Sequence, residues 1–169
     1  GLGDVYKRQV YMEYDDKLAD VMKTTGLAKD ETEAMSKNLS KINTRTSQVE
    51  LLDLARVAGK LGIDSAEEVE GFVRAADKIN VALSEDLGGN AEEALNQVGK
   101  LVDIFNIKQQ FGIEDAMIRV GSTVNELGAA STANEGYIVD FTKRLAGVAP
   151  QANISIQNVM GYGATLDQF

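Results

Sequence analysis

The chain has 169 residues, of which 44% are hydrophobic and 25% charged, and its formal net charge is −9. This composition is typical of a folded globular chain, and an acidic chain repels both nucleic-acid phosphates and anionic lipid, so we expect no nucleic-acid binding and no membrane contact by this segment. Cysteine and histidine are absent, which excludes disulfides, thiolate chemistry and the commonest general base and metal ligand.

The first nine residues, GLGDVYKRQ, resemble the peptide that arises when sequencing-adapter bases are translated at the end of an assembled fragment. We interpret residues 1–9 as such an artefact, with a disordered tail as the alternative, and we exclude them from the fold prediction. Residues 10–169 are predicted to form a single helical module that is a fragment of a longer chain.

The first two predicted helices are separated by Gly26. Residues 12–24 form the first, whose apolar side contains Leu18, Val21 and Met22, and Gly26 ends it. The second begins with Asp30 as its N-cap and Glu33 three residues later, as in a capping box. It ends near residue 41, where the polar sequence NTRTS predicts a turn.

Residues 47–83 predict two amphipathic helices with a short connection. Ser47 and Asp64 are the predicted N-caps, each followed three residues later by Glu50 or Glu67, and Gly62 ends the first helix. Because the connection GID is too short to hold the helices apart, an αα-hairpin is predicted. Their apolar stripes are Leu51, Leu54, Val57, Ala58 and Leu61 in the first helix, and Val69, Phe72, Val73, Ala76, Ile79 and Leu83 in the second.

Four further helix signals follow, with a break at QQFGIED and a small-residue connection at GAASTAN. Asn90, Asn134 and Ser155 are the predicted N-caps, and Gly161 and Gly163 are expected to loosen the last helix. The apolar stripes are Leu95, Val98, Val102 and Phe105; Ile113, Met117, Val120, Val124 and Leu127; and Tyr137, Ile138, Phe141 and Leu145.

No stretch alternates apolar and polar residues for long, and no Asn-Gly or Asp-Gly hairpin turn occurs. The sequence therefore predicts an all-α fold with about seven short to medium amphipathic helices, packed as helical hairpins with Gly-rich joints. The apolar stripes themselves leave two interpretations open: a self-contained core, or a surface that meets other chains.

Signs of chemistry are weak. Glu67, Glu68 and Glu70 cluster where a helix begins, which favours interaction with the helix dipole over a metal or acid-base site. The twelve residues DETEAMSKNLSK lack the glycine and final acid of a calcium loop. GLGDVY and GYGATL follow no strand, and Ser122 has no histidine to activate it. We predict no catalytic, cofactor-binding or metal-binding residues, no cofactor and no enzyme activity.

Two stretches carry a family resemblance. LLDLARVAGKLGIDSAEEVEGFVRAADKINVALSEDLGGNAEEALNQVGKLVDIF and GVAPQANISIQNVMGYGATLDQF resemble the core region of phage tail tape-measure proteins, and the similarity extends from about Leu18 to Phe169. The resemblance implies a long, mostly helical structural protein of a phage or prophage tail, whose length sets the tail length while tube subunits polymerise around it.

The same resemblance implies partners and a location, but it supplies no site residues. The implied partners are other copies of the chain, tail tube subunits and tail-assembly chaperones. The implied location is the tail of the virion, and the host cytoplasm during assembly. The alternative function is a helical interaction or scaffold module of a bacterial adaptor or assembly protein.

Overall fold

This computed structural model describes residues 1–83, 91–130, 134–151 and 153–166. These residues contain eight helices and no strand. The all-α prediction is confirmed, and the count is one higher because the weakly signalled C-terminal helix forms. The helices are α1 (Leu2–Thr25), α2 (Lys29–Leu39), α3 (Gln48–Lys60), α4 (Ala66–Leu83), α5 (Ala91–Ile104), α6 (Lys108–Ala130), α7 (Glu135–Leu145) and α8 (Ile156–Leu166).

The chain divides into two compact units, Gly1–Asp77 and Lys78–Phe169, which we call unit 1 and unit 2. Unit 1 contains α1, α2, α3 and most of α4, and unit 2 contains the last part of α4 and the remaining helices. The single module expected over residues 10–169, and its origin in a longer chain, stay predictions.

Three of the predicted helix caps are confirmed. Ser47 accepts a hydrogen bond from the Glu50 amide at 3.3 Å, and the Ser47 amide donates to the Glu50 carboxylate at 2.8 Å. Asn134 accepts from the Tyr137 amide at 2.7 Å, and Ser155 accepts from the Asn158 amide at 3.3 Å. Each bond satisfies an amide that the first helical turn leaves without a partner. Asn90, also a predicted cap, lies outside the described residues.

Two predicted caps are wrong by one or two residues. The N-cap of α2 is Ala28, whose amide donates to the Glu31 carboxylate at 3.0 Å, so the helix begins before Asp30. At the start of α4, the Glu68 amide donates to the Ser65 hydroxyl at 3.3 Å, which gives Ser65 the role predicted for its neighbour Asp64. Sequence rules for caps place a helix boundary only to within one or two residues.

Residues 2–9 are helical and belong to α1, which begins ten residues earlier than the sequence predicts. Every side chain from Gly1 to Glu13 is exposed, so this first half of α1 contributes nothing to a core. The end of α1 agrees with the prediction, because Gly26 adopts the left-handed conformation, with φ of 75°. The artefactual origin proposed for residues 1–9 stays a prediction.

The core of unit 1 forms where α1 packs on α3 and α2 contacts both. Leu51, Leu54, Val57 and Ala58 are buried as predicted. Leu52 and Ala55, which lie outside the predicted stripe, are also fully buried, because α1 and α2 cover α3 from two sides. The core also includes Val21, Met35, Leu39, Val69, Phe72 and Val73.

One hydrogen bond indicates the direction of α4. The Thr46 hydroxyl donates to the Asp77 carboxylate, and these two residues are centred in sequence on the Leu61–Gly62 peptide. A contact of this kind requires α4 to run back along α3 in the antiparallel sense, as in the predicted αα-hairpin. Gly62 makes the reversal with φ of 82°, which glycine adopts without steric cost.

In unit 2, α5 contacts α6 and α7, and α6, α7 and α8 contact one another. The core contains Leu95, Val98, Leu101, Val102, Met117, Val120, Val124, Ile138, Val139 and Met160. For α7 the predicted stripe is partly wrong: Ile138, Val139 and Thr142 are buried, whereas Tyr137 and Leu145 are more than one-third exposed. The neighbouring helices cover a face of α7 that is rotated away from its aromatic side.

Candidate interaction surface

The break predicted at QQFGIED lies inside α6. Gly112 has φ of 76° and ψ of 168°, a conformation essentially restricted to glycine. The kink separates a short first turn from the long remainder of α6. Phe111 therefore reaches Arg119, whose guanidinium carbon lies 4.1 Å from the centre of the Phe111 ring, a cation–π distance. In an unbroken helix these residues would be about 12 Å apart along the axis.

A cleft of about 290 Å³ opens beside this pair in unit 2. Its floor is apolar, with Ile107, Val120, Ile156 and Met160 buried. Among the described residues that line it, Arg119 alone is charged. The remaining lining residues are Phe105, Gln110, Phe111, Thr123, Pro150, Asn153, Ile154, Ser155 and Gln157. An apolar floor with amides and a single cation suits binding of a side chain or peptide and supplies no general base.

Two asparagines in the left-handed conformation shape the rim of the cleft. Asn106 and Asn153 have φ of 55° and 56°, values that asparagine tolerates better than most residues. After each turn the chain bonds back to a residue five positions earlier: the Ile107 amide donates to the Val102 carbonyl at 3.0 Å, and the Ile154 amide donates to the Ala149 carbonyl at 2.8 Å. Neither turn was predicted from the sequence.

A second group of exposed residues, which we call the hairpin face, lies on α7, on α8 and in the segment between them. It consists of Tyr137, Leu145, Val148, Tyr162 and Leu166, each more than one-third exposed. Tyr137 and Phe141 stack with ring centres 6.3 Å apart, so the aromatic side of α7 forms a continuous strip. Exposed apolar side chains on two contacting helices can mark a binding site.

The geometry of the hairpin depends on Gly163. A Cβ at Gly163 would lie 2.8 Å from Cδ1 of Phe141, so the glycine allows close contact between α7 and α8. Contacts between α7 and α8 are consistent with this close approach of the two helices. Gly161 and Gly163 both lie inside α8, which continues to Leu166, and the expectation that they loosen this helix stays a prediction.

Most of the hairpin face lies in a stretch of the sequence without charged residues. Residues 145–166 contain no Asp, Glu, Lys or Arg, and every other uncharged stretch of the chain is much shorter. Preceding it in α7 are two acids, Glu135 and Asp140, and two bases, Lys143 and Arg144. Residues 135–166 are thus neutral overall within a chain of net charge −9. A scan of local charge would have found this region from sequence.

The acidic cluster at the start of α4 has a structural role in unit 1. Glu70 accepts a hydrogen bond from the Asn38 side chain at 2.9 Å and lies 3.9 Å from Arg74. The bond with Asn38 ties α4 to α2, whereas the Arg74 pair lies within α4. Over the described ranges, no three Asp or Glu side chains are grouped so as to hold a metal ion.

A second cavity, of about 350 Å³, lies between α1 and α2 in unit 1. Leu18 and Met22, predicted to face the core, line it and are only half-buried. Its other lining residues include Asp15, Lys29 and Glu33, and Lys29 pairs with Glu33 at 3.8 Å. The mixed charges on this open groove give it no distinct chemistry.

In the parts of the chain that the structure describes, no helix combines the length and the apolar character needed to span a bilayer.

Comparison with known proteins gives one family. The family described as phage-related minor tail protein matches residues 29–168. No curated protein and no solved structure matches the chain. The match confirms the phage tail character that the sequence resemblance implied, and a phage tail protein interacts with other tail components. Because it covers most of the sequence, the chain belongs to the phage-related minor tail protein family.

Proposed function

We propose that this chain is part of a tape-measure protein, a non-enzymatic structural component that sets tail length while the tail of a phage or prophage is assembled. The observation that carries the proposal is the family match over residues 29–168. The all-helical architecture is compatible with this function, because the tape-measure proteins that the sequence resembles are mostly helical.

The dimensions of the fold refine the proposal. As one continuous helix, 169 residues would span only about 250 Å. The chain instead folds into short helices, of which α1 has 24 residues and spans about 36 Å. We infer that residues 10–169 act as a compact module within a longer chain, and that extended helical parts of that longer chain measure the tail.

The proposed partners follow from the same function. They are tail tube subunits, tail-assembly chaperones and other copies of the chain, which it meets in the host cytoplasm and then in the virion tail. The cleft beside Arg119 and the hairpin face are the surfaces of unit 2 best suited to such contacts. The net charge of −9 disfavours nucleic acid as a ligand of this segment.

Two kinds of variant in a phage that encodes this module test the proposal. In-frame deletion of whole helical turns from an extended part of the parent gene should shorten the tail in proportion to the residues removed. Disruption of the module with Phe72→Asp, at a fully buried position, should instead prevent tail assembly. Tail lengths and tail counts are measured by electron microscopy.

Val81→Asp is the matched control, because Val81 is 83% exposed and should tolerate a carboxylate. Tails of unchanged length after the deletions would reject the ruler function. Normal tails with Phe72→Asp would show that the folded module is dispensable for assembly.

A further inference from the structure

The cleft beside Arg119 combines one cation with an apolar floor. Its volume of about 290 Å³ lies near the lower limit of the about 300–1,000 Å³ of typical ligand sites, so it suits one or two residues rather than a helix. We propose that this cleft binds the C-terminal residue of a partner protein. The Arg119 guanidinium holds the terminal carboxylate, and a large apolar side chain of the same residue covers the floor.

The guanidinium of Arg119 has a neighbour on one side and hydrogen-bond donors to offer. Its central carbon lies 4.1 Å from the centre of the Phe111 ring, so the ring covers one face of the group. A stacked guanidinium keeps its N–H donors in its own plane, where they match the two oxygens of a carboxylate. Among the described residues, no carboxylate pairs with Arg119 and no group accepts from its guanidinium. A carboxylate from outside the chain therefore finds an oriented partner here.

The electrostatics of the cleft favour an anion, although the chain as a whole is acidic. The segment of residues 145–166, which supplies about half of the lining, contains no acid. The first turn of α8 lines the cleft with Ile156 and Gln157, and a helix N-terminus adds partial positive charge to that of Arg119. No described group accepts from the backbone amides of these two residues. Charge complementarity thus selects a ligand with a negative group.

The floor determines the rest of the ligand. Its buried residues Ile107, Val120, Ile156 and Met160 offer apolar contacts, and the flexible thioether of Met160 adapts to different side chains. A C-terminal residue presents a carboxylate and a side chain on the same Cα, so one residue can reach both Arg119 and the floor. A carboxylate within a chain would instead bring backbone through the cleft on both sides, which its volume disfavours.

NMR titration of the isotope-labelled 169-residue chain with small probes tests this chemistry. N-acetylphenylalanine has a free carboxylate, whereas N-acetylphenylalaninamide has the same ring and no charge. The acid should shift the amide resonances of Ile156 and Gln157 and bind at least about tenfold tighter than the amide, because only the acid forms charge-assisted hydrogen bonds with Arg119. N-acetylalanine should bind about tenfold more weakly than N-acetylphenylalanine, because it leaves most of the apolar floor uncovered.

Two variants with matched controls locate the binding. Arg119→Gln should weaken binding of N-acetylphenylalanine at least about tenfold and remove its advantage over the amide. Arg144→Gln is the control, since Arg144 is an exposed arginine of the same unit that does not line the cleft. Ile154→Asp, at a lining position that is 38% exposed, places a competing carboxylate in the cleft and should also weaken binding, whereas Val148→Asp, at a position that is 64% exposed and outside the lining, should not. Thermal melting by circular dichroism shows that each variant is folded.

Four results would overturn the inference. They are equal binding of the acid and the amide, unchanged binding to Arg119→Gln, resonance shifts that fall outside the cleft, and equally tight binding of N-acetyl-aspartyl-phenylalaninamide, whose carboxylate is on a side chain. The inference rests on the proposed function only for the expectation that the partner is a tail component. Failure of the acid to bind rejects the cleft as a carboxylate site, whereas tails of unchanged length reject the ruler, so the two failures are distinguishable.

Discussion

The two units hold their helices together in different ways. In unit 1, polar side chains join one helix to another: Lys17 of α1 bonds to Asp53 of α3 at 2.8 Å, and the hydroxyls of Tyr14 and Ser36 lie 2.7 Å apart. The Gln48 side-chain amide adds a bond to the Ser36 carbonyl at 2.7 Å. These links fix how far each helix slides along its neighbour.

In unit 2, close contacts at glycine perform the corresponding task. A Cβ at Gly121 would lie 2.9 Å from Ile79, and one at Gly163 would lie 2.8 Å from Phe141. The side-chain hydrogen bonds of Thr123, Asn134 and Thr142 stay within one helix or its cap. Shape thus sets these two helix contacts, and a comparable glycine contact occurs in unit 1 at Gly59.

Substitutions in the cores of the two units should have the largest effects on the free energy of unfolding. Phe72 in unit 1 and Met160 in unit 2 are fully buried. Phe72→Ala should lower the free energy of unfolding by about 3–5 kcal/mol and Met160→Ala by about 2–5 kcal/mol, because each leaves a cavity. Urea unfolding followed by circular dichroism measures both. Val81→Ala, at an exposed position, is the control and should cost under about 0.5 kcal/mol.

Replacing a glycine by alanine should cost more where the added methyl group meets backbone than where it meets a side chain that can move. At Gly59 in unit 1 a Cβ would lie 2.5 Å from the Thr24 backbone, whereas at Gly163 the obstacle is the Phe141 ring. A ring can rotate and a helix backbone cannot. Gly59→Ala should therefore cost about 3 kcal/mol and Gly163→Ala about 1 kcal/mol, within the range for overpacked sites. Equal losses in thermal unfolding would contradict this explanation.

Smaller effects are expected from the polar links of unit 1. Lys17 and Asp53 are partly exposed, so Lys17→Met should lower the free energy of unfolding by about 0.5–1 kcal/mol. The loss should shrink in 1 M NaCl, because salt already weakens the pair. Lys29→Met, which removes a longer and more exposed pair with Glu33 at 3.8 Å, is the control and should have less effect.

The smallest effect concerns pH. The hydroxyl and the amide of Ser47 donate to the Glu50 carboxylate and hold its pKa below the ordinary value of 4.5. Since the folded-state pKa is the lower one, this stabilisation is present above the unfolded-state pKa and is lost as pH falls through the folded-state pKa. Glu50→Gln should therefore reduce the stability loss on acidification below about pH 4.5. An identical acid dependence in both chains would refute the assignment.

Local features were predictable from the sequence, and neighbour-dependent ones were not. Ser47, Asn134 and Ser155 cap their helices through bonds to residues three positions away, so the pattern contains the whole interaction. The buried side of α7 depends on where α6 and α8 lie, and the stripe containing Tyr137 does not contain that information. For the same reason, the sequence did not predict that Leu52 is buried.

The division into two units was also hidden from the sequence. The apolar stripe of α4 continues from Val69 to Ile79 across the boundary at Asp77, so periodicity signals one helix and no border. The uncharged run of residues 145–166, which contains most of the hairpin face, could be identified from the sequence alone. The cleft beside Arg119 was not, because it requires the backbone angles of Asn106, Gly112 and Asn153.

The entrance of that cleft depends on the kink at Gly112, a residue whose side chain is a single hydrogen atom. With alanine in its place, the easiest response is to straighten, because φ of 76° is unfavourable for alanine and a continuous helix from Lys108 to Ala130 becomes available. Straightening would carry Phe111 away from Arg119 while adding helical hydrogen bonds. Substitution of this one residue would thus change the shape of the cleft entrance.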